Sequence, residues 1–242
     1  MEKVKAGFFH RRPGEGRTAK LFPNRPLFVS TWRLDRSSDE TEPPCERRKD
    51  INRRMTMPTI ASILWRRLDQ EGHDCWSLSR AGDGWSLKGQ AAFLQEGAPC
   101  GLSYEIDCDA GWLARTARVA GFFGDTLDYR FARLDDGGWA LNGKKQTHVA
   151  GLVDLDLGFT PATNLLPIRR LGLRPGIATP APAAYLAFPE LKLERLDQTY
   201  RRLDDTRYAY AAPAFGYDEV LEVAPSGFVV DYPGLWTTIA LR

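Results

Sequence analysis

Hydrophobic and polar residues alternate with a period of two along most of the chain after residue 60. The apolar positions of this pattern are Leu102, Tyr104 and Ile106; Leu127, Tyr129 and Phe131; Val153, Leu155, Leu157 and Phe159; Leu191 and Leu193; Tyr208 and Tyr210; and Phe228, Val230 and Tyr232. Successive side chains of a strand point to opposite faces, so the pattern predicts half-buried antiparallel strands.

Short turn signals separate these predicted strands. They are Gly82-Asp83-Gly84, Asp135-Asp136-Gly137-Gly138, Asn142-Gly143, Arg174-Pro175-Gly176, Asp204-Asp205 and Pro225-Ser226-Gly227. Asn-Gly and Asp-Gly favour tight hairpins because their residues tolerate positive φ. Strands that recur every 8–12 residues or so predict a large barrel, roll or sandwich. The segment IASILWRRL, near residues 60–68, fits either a strand or a helix.

One segment departs from the alternation and predicts a short helix. It is DLDLGFTPATNLLPIRRL, residues 154–171, in which Thr160 suits the N-cap and Pro161 suits the first helical position. Gly172 is expected to end the helix, and Pro167, which lacks an N–H, is expected to kink it. One face of this helix would carry Leu165, Ile168 and Leu171.

Residues 1–57 differ in composition from the rest of the chain. They carry 14 Lys and Arg against 8 Asp and Glu, whereas the remaining residues carry 19 against 23. Dense charge without periodicity favours disorder. Either the start codon is assigned too far upstream, with Met55 or Met57 as the true start, or the segment is a genuine basic tail. We expect residues 58–242 to form a single domain.

The bulk composition excludes several functional classes. The mildly acidic remainder of the chain has no electrostatic signature of nucleic-acid binding. No apolar run approaches the roughly 18 residues of a transmembrane helix, and the N-terminus lacks the apolar core of a signal peptide. The four cysteines include no CxxC pair, which is typical of a reduced, cytoplasmic protein, although Cys100 and Cys108 would meet if they lay across a hairpin.

Few residues suit nucleophilic, metal or nucleotide chemistry. The chain has no GxSxG motif, P-loop or GxGxxG loop. We expect neither a metal nor a cofactor, because His73 and His148 are not clustered with other ligands. Cys75 lies two residues from His73, a spacing that strand alternation explains without a catalytic pair.

Two aspartates are the best candidates for acid–base chemistry. At positions i and i+2 of a strand, Asp154 and Asp156 share a face at roughly 7 Å, from a rise of about 3.3 Å per residue. They could act on a glycosidic bond as a carboxyl pair. The alternative is structural: they are solvated, or paired with Arg169 or Arg170.

Aromatic residues are frequent in the strand-rich part of the chain, where Trp65, Trp76, Trp85, Trp112, Trp139 and Trp236 all lie. Most aromatic side chains are expected in the core because they bury large apolar areas. An all-β protein that has many of them and few catalytic groups also suits the binding of an apolar or amphipathic ligand.

Several long motifs resemble those of a glycolipid-binding family, formerly a domain of unknown function. They are VDLDLGFTPATNLLPIRRL, LAFPELKLERLDQTYRRL and SGFVVDYPGLW, with opening hairpins at GWSLKGQAAF, LSYEIDCDAGWLARTARV and GGWALNGK. The resemblance runs from about Ile63 to Leu241. It implies an all-β spiral β-roll, in which a long antiparallel sheet wraps around one central helix, and it implies a homodimer.

The resemblance also indicates which polar residues to follow. The positions that match the family pattern are Asp154, Asp156, Thr160, Pro161, Asn164, Pro167, Arg169, Arg170, Gln198, Tyr200, Asp231, Tyr232 and Pro233. The family often has a cysteine just before the first aspartate, whereas this chain has Gly151-Leu152-Val153. Chemistry that depends on such a thiol is therefore not expected.

We therefore expect a non-catalytic protein that binds a lipid or glycolipid. The candidate ligand-binding residues are Asp154, Asp156, Asn164, Arg169, Arg170, Gln198, Tyr200 and Tyr232. In this interpretation polar groups hold a sugar or anionic headgroup, and aromatic residues hold the acyl part. Three alternatives stay open: a hydrogen-bonded lock that seats the helix, an enzyme that uses Asp154 or Asp156, and a scaffold homodimer without a small ligand.

Overall fold

The computed structural model describes residues 58–242, so the interpretations of residues 1–57 lie outside the described part of the chain. The strands are β1 (Thr59–Arg67), β2 (Gly72–Ala81), β3 (Gly84–Gln95), β4 (Ala98–Cys108), β5 (Ala114–Phe123), β6 (Asp125–Arg133), β7 (Trp139–Leu141), β8 (Lys144–Gln146), β9 (Asp154–Leu157), β10 (Ala178–Pro180), β11 (Ala183–Ala187), β12 (Lys192–Leu196), β13 (Thr199–Arg202), β14 (Arg207–Ala212), β15 (Tyr217–Val223), β16 (Val229–Tyr232) and β17 (Trp236–Leu241). The α-helix α1 spans Leu165–Leu171, and 3₁₀ turns span Thr147–Val149, Ala162–Asn164 and Pro213–Phe215. Within residues 58–242, no helix has the length and apolar character needed to cross a membrane.

Fourteen strands form one long sheet in the order β10-β13-β14-β15-β16-β17-β1-β2-β3-β4-β5-β6-β7-β8. Every neighbouring pair in this sheet is antiparallel. The first and last strands along the chain, β1 and β17, lie side by side in the middle of this sheet, with Ile63 opposite Leu241. The predicted fold class is confirmed: residues 58–242 are mostly β, with a long antiparallel sheet and one short α-helix.

Local sequence explains much of this sheet. IASILWRRL forms β1 rather than a helix, and the buried Trp65 donates its indole N–H to the Val229 carbonyl at 2.7 Å. The Asn142-Gly143 turn joins β7 to β8 as predicted, with φ of 48° and 76°. Gly89 lies beneath the Tyr104 ring, at a place where a Cβ atom would overlap that ring.

A second sheet of three strands has the order β12-β11-β9. Its β9 strand is parallel to β11, with Asp156 opposite Tyr185, so the expectation of antiparallel pairing is wrong at this place. All four residues of β9 are buried, which is typical of parallel strands covered on both faces. One alternative from the sequence was that the aspartates of β9 are solvated; this alternative is wrong, because both are buried.

Two apolar clusters enclose this small sheet. The first, here called the inner cluster, contains the buried apolar side chains of β1–β6 together with Leu155, Leu157 and Leu186. The second, here called the tyrosine cluster, is formed by Ile168, Leu173, Tyr185, Leu196, Tyr200, Tyr208, Tyr210, Leu221 and Val223. Asp154 and Asp156 alternate with the leucines of β9, so they lie on the face turned away from those leucines.

Thr160 caps a helical turn as predicted, but that turn is a 3₁₀ turn over Ala162–Asn164, and α1 begins only at Leu165. The Thr160 hydroxyl accepts the Ala162 N–H at 3.0 Å, and Pro161 already has helical dihedrals of −78° and −6°. A 3₁₀ turn precedes α1, so Pro167 falls in the first turn of the α-helix, where an N–H needs no intrahelical partner. Because of this position, the proline does not remove a helical hydrogen bond. Gly172 ends α1 in the left-handed conformation, as predicted.

The helix is buried on more than one side. Leu165 and Leu166 belong to the inner cluster and Ile168 belongs to the tyrosine cluster, whereas Leu171 is half-buried. The single apolar face predicted from the sequence was therefore too narrow.

Cys100 and Cys108 do not lie across a hairpin from each other. Both are on the same strand, β4, and both are free thiols.

Candidate functional site

The eight predicted site residues divide into groups that do different things. Arg170 forms a two-pronged ion pair with Asp154, with N–O distances of 2.9 and 2.6 Å. The Asp154 side chain is only 3% exposed, so this pair compensates a carboxylate buried under the helix. These two residues fasten α1 to β9, as the lock interpretation expects.

Arg169 has a separate role. Its Nε and Nη2 donate to the carbonyls of Ser226 and Pro225 at 3.2 and 2.8 Å, which ties the helix to the turn between β15 and β16. Its guanidinium also lies 5.8 Å from the Trp112 ring centre. Neither Arg169 nor Arg170 lines the cavity described next.

Three more predicted residues form a buried hydrogen-bonded chain. The Tyr200 hydroxyl donates to Oδ1 of Asn164 at 2.5 Å, while Nδ2 of Asn164 donates to the Pro161 carbonyl at 3.1 Å. The Tyr210 hydroxyl donates to Oε1 of Gln198 at 2.9 Å. The Tyr200 hydroxyl also lies 3.4 Å from Oε1 of Gln198, so the chain connects the start of the helix to β13 and β14.

A cavity of about 60 Å³ lies beside this chain. Its polar wall is formed by Asp156, Thr160 and Asn164, and its remaining lining includes Tyr185, Tyr210, Phe215, Tyr232, Trp236, Arg67 and Asp69. Ligand pockets for drug-sized molecules usually have about 300–1,000 Å³. The cavity therefore accommodates one small chemical group, and it is too small for an acyl chain or a complete glycolipid.

The aromatic side chains of the cavity hold one another in place. Tyr210 and Tyr232 meet edge to face with their ring centres 5.8 Å apart, and Tyr217 packs edge to face against Tyr232 with the ring centres 5.2 Å apart. Tyr185 contacts Phe215 at 5.6 Å. Such contacts leave the rings few alternative positions.

Asp156 is the ionisable group on the polar wall. Burial raises the pKa of its carboxyl to about 7, against the lowering effect of a hydrogen bond with the Thr163 hydroxyl, and the charge of Asp154 raises it further. Among residues 58–242, no cationic side chain forms an ion pair with Asp156. Burial, with the Asp156 charge as a second cause, also raises the pKa of Tyr185 and Tyr210.

A second buried carboxyl, that of Asp74, lies behind Thr160. Its Oδ2 accepts hydrogen bonds from the hydroxyls of Thr160 and Tyr104, the latter at 2.8 Å. Its Oδ1 is buried and has no partner in the described part of the chain. Burial raises the pKa of Asp74 to about 7, opposed by these hydrogen bonds and by the charge of Arg67.

The rim of the cavity carries one positive and one negative side chain. Arg67 donates to both carboxylate oxygens of Asp69, at 3.1 and 2.8 Å. Its guanidinium also lies 4.8 Å from the Phe93 ring centre and 4.9 Å from that of Trp236. The Arg67 charge is therefore already paired and stacked.

A larger groove of about 480 Å³ lies elsewhere, over β1–β5. Its lining includes exposed or half-buried polar side chains such as Ser77, Lys88 and Ser103, and Lys88 is paired with Glu105 at 2.8 Å. Size alone favours this groove as a ligand site. The smaller cavity is nevertheless the better candidate, because it combines buried hydrogen-bonding groups with packed aromatic rings.

Of the predicted residues, three line the cavity: Asp156, Asn164 and Tyr232. Gln198 and Tyr200 support that lining through hydrogen bonds, whereas the other three lie outside it. Sequence analysis missed Arg67, Asp69, Asp74, Tyr185, Tyr210 and Phe215 as site residues. For Asp74 a signal existed, because it occupies an inward position of β2 in line with Trp76 and Leu78.

Comparisons with known proteins agree with this architecture. The sequence model of a protein family described as "Putative glycolipid-binding" matches residues 62–238. The crystal structure of a DUF1089 family protein from Pseudomonas aeruginosa is similar, with a TM-score of 0.61 and 31% sequence identity, over 68% of this chain and 91% of that chain. Among curated proteins, none matches the chain.

Proposed function

We propose, because this chain belongs to the glycolipid-binding family, that the cavity beside Asp156 receives part of the polar headgroup of a glycolipid. The observation that supports this proposal is the lining, in which a carboxyl, an amide and a hydroxyl share one small space with tyrosine and tryptophan rings. Headgroups offer hydroxyl or amino groups for the first set and C–H surfaces for the second. The acyl chains would remain outside, because the cavity is too small for them.

The arrangement of the carboxyls favours binding over catalysis. A glycosidase needs two carboxyl groups on either side of one bond. Asp154 is held by Arg170 and does not line the cavity, and Asp69, the other carboxyl of the lining, is held by Arg67, so neither is available as the partner of Asp156. We accordingly propose a non-catalytic role. A cytoplasmic location and a homodimer remain predictions from the cysteine content and the family resemblance.

One observation favours an enzyme as the second candidate. The pKa of about 7 suits Asp156 for general acid catalysis near neutral pH. Steady hydrolysis of an aryl glycoside, lost in Asp156→Asn with the fold intact, would support this candidate. No turnover across a panel of glycosides and lipid esters would contradict it.

The full-length chain should be purified gently, extracted with organic solvent and analysed by mass spectrometry beside a native mass spectrum. A glycolipid at one copy per chain is the expected result. Binding of short-chain glycolipids should then weaken at least about tenfold in Tyr232→Leu, which removes a ring from the cavity. Tyr208→Leu is the matched control, because Tyr208 belongs to the tyrosine cluster but does not line the cavity. Equal binding by both variants would contradict the proposed site.

A further inference from the structure

We infer that the headgroup atom held in the cavity is a positively charged nitrogen, so that the ligand carries an ammonium group, as an amino sugar or an amine-bearing headgroup does. This inference rests on the proposed function, since it names the chemical class of headgroup that the same cavity takes. It is based on three features: the charge of the lining, the nature of the rings and the size of the space.

The charges around the cavity leave one carboxyl without a cation. Arg67 is paired with Asp69 on the rim, and Arg170 is paired with Asp154 behind the wall. Each of these pairs is neutral. Asp156 then adds a negative charge whenever it ionises, and residues 58–242 provide no ion pair for it. A cationic ligand would supply the missing partner.

The other groups near Asp156 do not change this balance. Its titratable neighbours are Asp154 on its own strand, Tyr185 on β11, Tyr200 on β13 and Tyr210 on β14. Burial raises the pKa of all three tyrosines, so they stay neutral. Asp74, behind Thr160, can only add negative charge.

The aromatic lining suits a cation for a separate reason. The faces of tyrosine and tryptophan rings are electron-rich and attract ammonium groups, most strongly when the site is desolvated. The three rings of Tyr185, Tyr210 and Tyr232 line the same cavity as the Asp156 carboxyl, whereas Trp236, which also lines it, already has the Arg67 guanidinium 4.9 Å from its ring centre. Cages of aromatic rings are a recurring means of binding methylated ammonium groups.

The size of the space is consistent with this group. A volume of about 60 Å³ equals the share of roughly two water molecules in the liquid. An ammonium or methylammonium group has a few heavy atoms and fits such a space, whereas a phosphate would also bring its negative charge against Asp156. An anionic headgroup, which the sequence analysis also allowed, is disfavoured, because Arg169 and Arg170 lie outside the cavity.

Binding of the cation would be coupled to one proton. The ammonium pairs with ionised Asp156, so binding to the protonated form releases the carboxyl proton to solvent. With a free-state pKa of about 7, affinity should rise about tenfold between pH 6 and pH 8. A neutral ligand of the same shape would show no such rise.

The test uses the full-length chain, titrated by calorimetry at constant ionic strength with ethanolamine and with ethylene glycol, in which a hydroxyl replaces the ammonium group. Methylammonium, which like ethanolamine stays protonated at pH 8, and methanol form a second matched pair. We expect each amine to bind at least about tenfold more tightly than its neutral partner at pH 8. This preference should disappear in Asp156→Asn, which keeps the shape of the side chain, and should weaken in Tyr232→Leu but not in Tyr208→Leu.

The outcomes separate this inference from the proposed function. If the neutral partners bind as tightly as the amines, and Tyr232→Leu weakens both, the cavity binds headgroups and the inference about charge is wrong. If the amines bind with a preference that persists in Asp156→Asn and at pH 6, the inference is also wrong. If no ligand of either pair binds and no glycolipid is extracted, the proposed function and the inference both fail.

Discussion

The Tyr200 hydroxyl donates a 2.5 Å hydrogen bond to Oδ1 of Asn164, and both side chains are almost fully buried. The bond joins β13 to the residue that directly precedes α1. Asn164 thus both lines the cavity and holds the helix in place, so its loss would affect stability as well as any ligand.

Replacement of Asn164 should expose this dual role. Asn164→Ala removes the close acceptor of the buried Tyr200 hydroxyl and leaves it only Oε1 of Gln198 at 3.4 Å, at a cost of about 1–3 kcal/mol in the free energy of unfolding. Tyr200→Phe in the same background should cost less than it does in the wild type, because that poorly paired hydroxyl is then gone. Urea unfolding of the two single variants and the double variant measures this coupling. Additive effects would mean that the two side chains do not depend on each other.

The two neighbouring arginines of α1 should respond differently to truncation. Arg170→Ala leaves the buried Asp154 carboxylate without a partner, for which a loss of about 3–5 kcal/mol is expected. Arg169→Ala removes hydrogen bonds from an exposed side chain to two carbonyls, for which a loss of about 1 kcal/mol is expected. Chemical denaturation at neutral pH compares them directly, and equal losses would contradict the assigned roles.

The unfolding free energy should fall as pH rises through neutrality. Burial raises the pKa of Asp74 and Asp156 from 3.8 to about 7, so the folded state binds more protons than the unfolded state between these values. Stability is then greatest at the acidic end of this window, declines as pH approaches 7 and levels off above it. Each carboxyl should contribute a decline of about 2–3 kcal/mol between pH 5 and pH 8.

Asp74→Asn provides the control for this pH dependence. The amide cannot ionise, yet its oxygen can still accept hydrogen bonds from Tyr104 and Thr160. The decline measured by urea unfolding at a series of pH values should therefore be smaller in this variant. A slope equal to that of the wild type would show that Asp74 does not titrate in this range.

Thr160 connects the helix start to the buried carboxyl, so its hydroxyl should matter more than its methyl group. Thr160→Val keeps the shape but removes both the cap on the Ala162 N–H and the donor to Asp74, with an expected loss of about 2–4 kcal/mol. Thr160→Ser keeps the hydroxyl and should cost about 1 kcal/mol. Thermal and urea unfolding measure the difference. A larger loss in the serine variant would indicate that packing, and not hydrogen bonding, dominates at this position.

The elements that local sequence determines were the ones that could be predicted. Alternation over a few residues defines a strand, and the Asn142-Gly143 dipeptide defines its own turn. The cap at Thr160 and the end of the helix at Gly172 are likewise local. The parallel pairing of β9 with β11 was not predictable in this way, because it joins segments on either side of the helix.

The candidate site shows the same limit in its side chains. Asp154 and Asp156 have the same residue type, strand and face, so spacing alone assigns them one environment. The structure separates them, because Arg170 reaches Asp154 whereas Tyr185 and Tyr210 surround the cavity at Asp156. These tyrosines come from distant strands, and only the tertiary fold brings them together.

The pairing of β17 with β1 has a consequence for how the chain could be rearranged. Ser62 and Arg242 exchange two backbone hydrogen bonds, of 2.8 and 2.9 Å, so the two ends of the described part are direct neighbours. Among the backbone hydrogen bonds of residues 58–242, this pair joins the positions farthest apart in sequence, and forming it requires closure of the longest loop. A circular permutant that joins these ends and opens the chain at Asn142-Gly143 would convert β17 and β1 into a local hairpin. The same sheet would then have a lower contact order and should fold faster.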